Sequence, residues 1–176
     1  MRETKTSALK AWRGFRSLRF PTNSSGEEMK ANDRKVLIGI DTGVNTGFAV
    51  AVDSGNGGEL RKVESLSITQ AMSGVTELIN LHGKENLKLF IEDARLRTWF
   101  TGGREKAQGV GSVKRDAQIW EDWCKEQELN YLMVHPKANA TKTKAISFKK
   151  ITGWAGRTNE HARDAAMLVF GRFARF

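Results

Sequence analysis

The stretch VLIGIDTGVNTGFAVAVD, residues 36–53, places one acid between two apolar runs. Residues 36–40 and 47–52 have the length and β-branched content of strands, while residues 41–46 supply the Asp, Thr, Gly and Asn of a tight connection. Two strands joined so closely pair antiparallel, so any fold open to this chain is built on that hairpin. Asp41 has two readings. An Asp at a turn readily bonds nearby backbone N–H groups; at the end of a central strand it is instead placed to be a metal ligand, which requires partners from elsewhere in the chain.

Beyond the hairpin, SGNGG marks a turn and residues 60–68 alternate well enough for a third strand. Residues 69–82 carry Met72, Val75, Ile79 and His82 at helical spacing, and Gly83 supplies a stop. LKLFIED, residues 87–93, is a short buried strand ending in two acids. Residues 95–112, rich in Gly, Arg and aromatics, are expected to form a loop. Val113, Ala117, Trp120 and Cys124 then trace one face of a helix. YLMVH is a fifth strand stopped by Pro136, KANATKTK is a basic loop, and residues 158–175 form a last helix with Thr158 or Asn159 as N-cap. The order β-β-β-α-β-α-β-α implies an α/β fold, a mixed five-stranded sheet flanked by helices, because the later strands need crossover connections.

A chain of 176 residues without internal repeats is expected to hold one main domain, residues 36–176, behind an arm of residues 1–35. The formal charge of +9 attracts a polyanion, and nucleic acid is the partner expected. Nine Lys/Arg face four Asp/Glu in the first 35 residues, which leaves 20 against 16 for the remainder. That leader, with WRGFRSLRF followed by the polar PTNSSGEEMKAND, reads as a flexible arm able to grip phosphates. A second expectation is that translation starts at Met29, just ahead of the first strand. No apolar run approaches the roughly 18 residues of a membrane span, and the basic N-terminus lacks a signal-peptide core. Cys124 stands alone, which excludes an internal disulfide and a multi-cysteine zinc site. A cytoplasmic location, bacterial or in a phage-infected host, is expected.

If the first and fourth strands are neighbours, Asp41 comes near Glu92. In TNEHARDAAM, His161 and Asp164 are three apart and share one side of the last helix. Each has a plainer reading: Glu92 and Asp93 can end a strand in solvent, Asp164 can pair with Arg163 or Arg157, and His161 can sit at the surface. Their conjunction favours one site. Clustered carboxylates raise one another's pKa unless a cation offsets the charge, and oxygen-rich donors suit Mg²⁺ or Mn²⁺. Two such ions about 3.5–4 Å apart activate water and offset charge on the leaving oxygen of a phosphodiester.

IGIDTGVNTGFAVAV, LFIEDAR, KAQGVGSVKRDA and HARDAA, in that order, resemble the RuvC-type Holliday junction resolvases of the RNase H-like superfamily, particularly the short phage-type members. The resemblance spans residues 36–171. It implies a structure-selective DNA endonuclease of recombination and repair, a homodimer that nicks two strands of a four-way junction. By position, Asp41 matches the first-strand acid, Glu92 the fourth-strand acid and Asp164 the acid of the C-terminal helix. His161 falls where members carry Asp or His as companion ligand, and two metal ions per site are implied. Asp93 has no counterpart.

Lys144 matches the family's basic residue for the scissile phosphate, with Lys142 beside it. RLRTWFTGGR is expected to bring Arg95, Arg97, Trp99, Phe100 and Arg104 near the junction centre, where an aromatic stacks on an unpaired base for about 1–3 kcal/mol. Of equal weight is a reading in which Trp99 and Phe100 cap the core and the arginines are solvated. Lys114 is a further expected DNA contact. The face of Val113, Ala117 and Trp120 serves either a dimer interface or, preferably, the core. Three rivals stand beside this: an actin-like or sugar-kinase-like ATP-binding domain, an RNase H-like nuclease acting on RNA·DNA hybrid or structured RNA, and a catalytically silent junction-binding module.

Overall fold

The computed structural model describes residues 34–54, 58–96, 104–139 and 142–173, without the side chains of residues 104–110. The expected N-terminal arm therefore lies outside the described residues, apart from Arg34 and Lys35, as does the tip of the SGNGG turn. Five strands are present: β1 (Val36–Asp41), β2 (Thr46–Val52), β3 (Glu59–Leu66), β4 (Leu87–Glu92) and β5 (Tyr131–Val134). Four helices accompany them: α1 (Ile68–His82), α2 (Arg104–Glu126), α3 (Ala145–Thr152) and α4 (Glu160–Met167). The strands form one sheet in the order β3-β2-β1-β4-β5. The first three pair antiparallel, while β4 runs parallel to both β1 and β5.

The period-2 alternation of β1 divides the core into two layers. Val36, Ile38 and Ile40 point with Phe48, Val50, Leu89 and Ile91 toward Val75 and Leu78 of α1 and Trp120 and Cys124 of α2. Leu37 points the other way, with Ala49, Ala51 and Phe90, toward Ala162, Ala165 and Ala166 of α4 and Phe148 of α3. Both faces of β1 and β2 are covered, which explains their near-continuous apolar sequence. The helix α1 begins at a capping box in which Ser67 and Gln70 satisfy each other's backbone N–H groups.

Two expectations need correction. The segment of residues 95–112 is not all loop, because α2 already begins at Arg104 and continues through Gly111. Glycine lowers helix propensity without forbidding helix where packing holds the rest. The last helix ends at Met167, not near residue 175: Leu168 and Val169 are buried as the chain turns, and Gly171 takes the left-handed conformation at φ 72°. Residues 145–152, assigned no element from the sequence, form α3, in which Phe148 is the one fully buried side chain, and one anchor gives no periodic signal. Ala117, Trp120 and Cys124 are all completely buried, so that face of α2 belongs to the core.

Helix α4 approaches β1 and β2 backbone to backbone. A Cβ on Gly39 would overlap the carbonyl oxygen of Ala165, and one on Gly47 would overlap that of His161. Backbone meets backbone there because the facing positions carry no side chain. We predict that Gly39→Ala and Gly47→Ala each lower stability in urea denaturation by about 1–3 kcal/mol through overpacking. Gly111→Ala, whose added methyl meets nothing within 4 Å, should be neutral or stabilising in its helix. Equal stability for all three would contradict the close packing.

Candidate active site

Asp41 ends β1 and Glu92 ends β4, and both are 4% exposed. Their strands are parallel neighbours with Ile40 opposite Ile91, so the two acids occupy the next step of the same register. Asp41 follows Leu37 and Gly39 on the face covered by α4. Thr42 holds the strand ends together, donating its hydroxyl to the Glu92 carbonyl at 3.2 Å.

The other two residues come from α4, whose N-terminus is capped by Asn159 accepting from the Ala162 N–H at 2.9 Å. His161 Nδ1 lies 2.8 Å from Asp41 Oδ2. A carboxylate only accepts, so the imidazole donates. That hydrogen bond raises the His161 pKa, against partial burial. The Asp164 carboxyl is pushed up to about 6, chiefly by burial and then by the charges of Asp41, Glu160 and Glu92. Its Oδ1 is buried without a hydrogen-bond partner among the described residues. The plainer pairing of Asp164 with Arg163 does not occur: Arg163 donates instead to the carbonyls of Thr143 at 2.7 Å and Thr158 at 3.0 Å.

All four residues thus gather where the C-terminal ends of β1 and β4 meet α4. Among the described residues, no three His, Cys, Asp or Glu side chains stand close enough together to enclose a metal ion in this arrangement. Asp41 is engaged by His161, and the remaining carboxylates share a like charge. The donor chemistry nonetheless suits a hard divalent cation, with three carboxylates and an imidazole. An unpartnered buried carboxylate oxygen on Asp164, disfavoured by its acidic neighbours, is the kind of group a cation relieves.

Glu92 and Asp93 are adjacent yet have different uses. Asp93 is fixed by Arg95, whose Nε and Nη2 reach its two oxygens at 2.7 and 2.8 Å. Arg95 Nη1 continues to Gln118 at 2.6 Å and Glu121 at 2.5 Å on α2. This fork latches the end of β4 to α2, and it explains why Asp93 stands apart from the site. Arg95, expected from the sequence near DNA, has its guanidinium engaged inside the chain in this structure.

Lys144 is exposed at the N-cap of α3. Lys142, exposed with φ 53°, forms an ion pair with Glu160 at 3.5 Å. The Arg163 bond to Thr143 keeps this basic segment alongside α4. Lys114 is half-buried on α2, where Arg104 is the first residue. Arg97, Trp99, Phe100 and the Arg104 side chain lie outside the described residues. Two residues that shape the site escape sequence reasoning. Arg163 reads there only as a partner for Asp164, and Asn139 only as part of a basic loop. Neither has a spacing signal, because each acts on backbone groups distant in sequence.

No protein-family profile matches the chain, and no curated protein matches it in sequence. Among solved structures, T. thermophilus RuvC in complex with Holliday junction substrate superposes with a TM-score of 0.50 at 18% identity, covering 77% of this chain and 90% of that one. This chain has the RuvC-type fold. The mixed five-stranded sheet with flanking helices is the RNase H-like architecture of that RuvC neighbour. Another similar structure is the yeast mitochondrial Holliday junction resolvase Ydc2, at a TM-score of 0.39 and 13% identity over 91% of this chain and 81% of that one. No helix among the described residues is long and apolar enough to cross a membrane.

The Asp93–Arg95 latch of this RuvC-type fold yields a pH prediction. Arg95 hydrogen bonds hold the Asp93 carboxyl below its usual range. The latch's contribution to stability is therefore complete above the ordinary carboxylate pKa and fades as pH falls through the lowered folded value. Arg95→Gln should cost about 1–3 kcal/mol at neutral pH, by leaving a buried carboxylate short of partners. The difference from wild type should shrink on acidification, as followed by urea denaturation at stepped pH. A difference that grows in acid would contradict the latch.

Proposed function

We propose that this chain is a structure-selective DNA endonuclease that resolves four-way junctions by metal-dependent paired phosphodiester hydrolysis. The observation that carries the reading is the meeting of Asp41, Glu92, His161 and Asp164 under α4, in a fold like that of a protein recorded with Holliday junction substrate. Asp41, Glu92 and Asp164, with His161, would hold Mg²⁺ or Mn²⁺, two ions per site. Bound there, the cations supply Lewis-acid charge at the reacting phosphate and lower the pKa of water.

The chain's own residues do the rest. Lys144 and Lys142, beside α4, face the negative scissile region of the DNA. Lys114, Arg97 and Arg104 add to a positive surface for the arms, and Trp99 and Phe100 are placed in sequence to meet unstacked bases. A homodimer with one two-fold axis presents two such sites to opposing strands of a nearly symmetric junction. A cytoplasmic location, bacterial or in a phage-infected host, is part of this reading.

The ATP-binding rival relies on a Gly-rich hairpin cradling phosphate. In this hairpin Thr46 Oγ1 donates to the Gly43 carbonyl at 2.7 Å, and Gly47 lies against the α4 backbone. The backbone at Gly47 is thus covered by α4.

The test incubates purified protein and Mg²⁺ with a labelled four-way junction, a plain duplex, an RNA·DNA hybrid and ATP. Paired nicks near the crossover, with 5′-phosphate and 3′-hydroxyl ends, are expected. Cleavage of the hybrid alone, or hydrolysis of ATP, would overturn the reading in favour of a rival. Asp41→Asn should slow nicking by roughly two orders of magnitude or more through loss of a metal ligand, with junction affinity within about threefold because the basic surface is intact. Retained cleavage by that variant would be fatal to the assignment.

A further inference from the structure

Asn139 stands where the chain leaves β5, after the short turn Pro136–Ala138, and is 4% exposed. Its Nδ2 donates to the backbone carbonyl of Asp164 at 3.1 Å and reaches Glu92 Oε2 in a longer contact at 3.5 Å. Both of those groups only accept, so the amide has one workable orientation; turned over, its oxygen would face a carbonyl and a carboxylate. In the workable orientation Oδ1 is buried and has no hydrogen-bond partner among the described residues, as is the case for Asp164 Oδ1. Buried acceptors are nearly always satisfied in native proteins, so two such oxygens in one small region set it apart from an ordinary core.

The residue type is informative. Aspartate in the same shape would lose both donors and add a negative charge to the group already formed by Asp41, Glu92 and Asp164. An apolar residue would remove the donor that Asn139 brings to the Glu92 carboxylate and to the Asp164 carbonyl. A neutral amide ties an acid on β4 to an acid-bearing helix without adding charge.

We propose that Asn139 is a positioning residue of this site, fixing the Glu92 carboxylate and the α4 backbone at Asp164 with respect to each other. The proposal deepens the endonuclease reading and rests on it. It requires no contact between Asn139 and DNA.

The test compares wild type with Asn139→Ala and the isosteric Asn139→Asp in four measurements. These are Mn²⁺ affinity of the DNA-free protein by calorimetry, single-turnover nicking of a four-way junction, junction affinity without divalent ions, and the thermal midpoint. Asn139→Ala should weaken Mn²⁺ binding or slow nicking by about 10–100-fold, the loss usual when the group orienting a ligand is removed. Asn139→Asp should slow nicking comparably, and both should bind the junction within about threefold of wild type, because the phosphate-facing surface is unchanged. If both variants melt cooperatively while Mn²⁺ affinity and nicking rate remain at wild-type values, Asn139 merely closes a loop and the proposal is wrong. A lowered thermal midpoint with no other change also overturns it. Should Asn139→Ala fail to fold, Asn139→Asp decides the matter by the same criteria. A wild-type protein that binds Mn²⁺ but nicks no junction overturns the endonuclease reading, and the Mn²⁺ affinities still decide the role of Asn139. A wild-type protein that binds no Mn²⁺ overturns both.

Discussion

The carbonyl oxygens of His161 and Ala165 occupy the space into which side chains would project from Gly47 and Gly39. Helix α4 can therefore lie with its backbone directly on β1 and β2, with Ala162, Ala165 and Ala166 completing a contact made of the smallest residues. Any Cβ at the two glycines would lift the helix. A lift of even an ångström or two would carry His161 out of hydrogen-bond range of Asp41, since that bond spans 2.8 Å. In the sequence both glycines are simply strand residues, yet their purpose is the height of a helix above a sheet.

Alternation of side chains along β4 divides the labour of its two acids. Glu92 ends the strand near the meeting point with α4, held there through Thr42 and Asn139. Asp93, one residue on, is taken by Arg95 and through it by Glu121 and Gln118 of α2. The pairing is bidentate and little exposed, and so anchors the exit of β4 firmly. The candidate site is thus braced on both sides of the sheet by polar contacts, with separate apolar layers behind them.

Much of this is legible in residues alone. The hairpin of residues 36–53 and the same-side placement of His161 and Asp164 follow from strand length and helical spacing, whereas crossover requirements allow β4 beside β1 without dictating it. The extent of α2 and α4 is not, because glycines at 109 and 111 resemble a loop signal and the buried Leu168 and Val169 resemble continued helix. Arg95 looks outward-facing in the sequence because a positive charge in a Gly- and Arg-rich segment reads as exposed, while its partners on α2 lie more than twenty residues away. Asn139 gives no signal of its own, since it is one polar residue in a basic loop and the groups it bridges, on Glu92 and Asp164, are distant in sequence.

Three carboxylates and an imidazole must form one cation-binding locus if the proposed chemistry is to occur. Anomalous diffraction from crystals equilibrated with Mn²⁺ tests that most directly. Strong peaks bounded by the side chains of Asp41, Glu92 and Asp164, with His161 within reach, are the result expected. Manganese ordered only at other acids, such as the exposed carboxylates of β3, would contradict it.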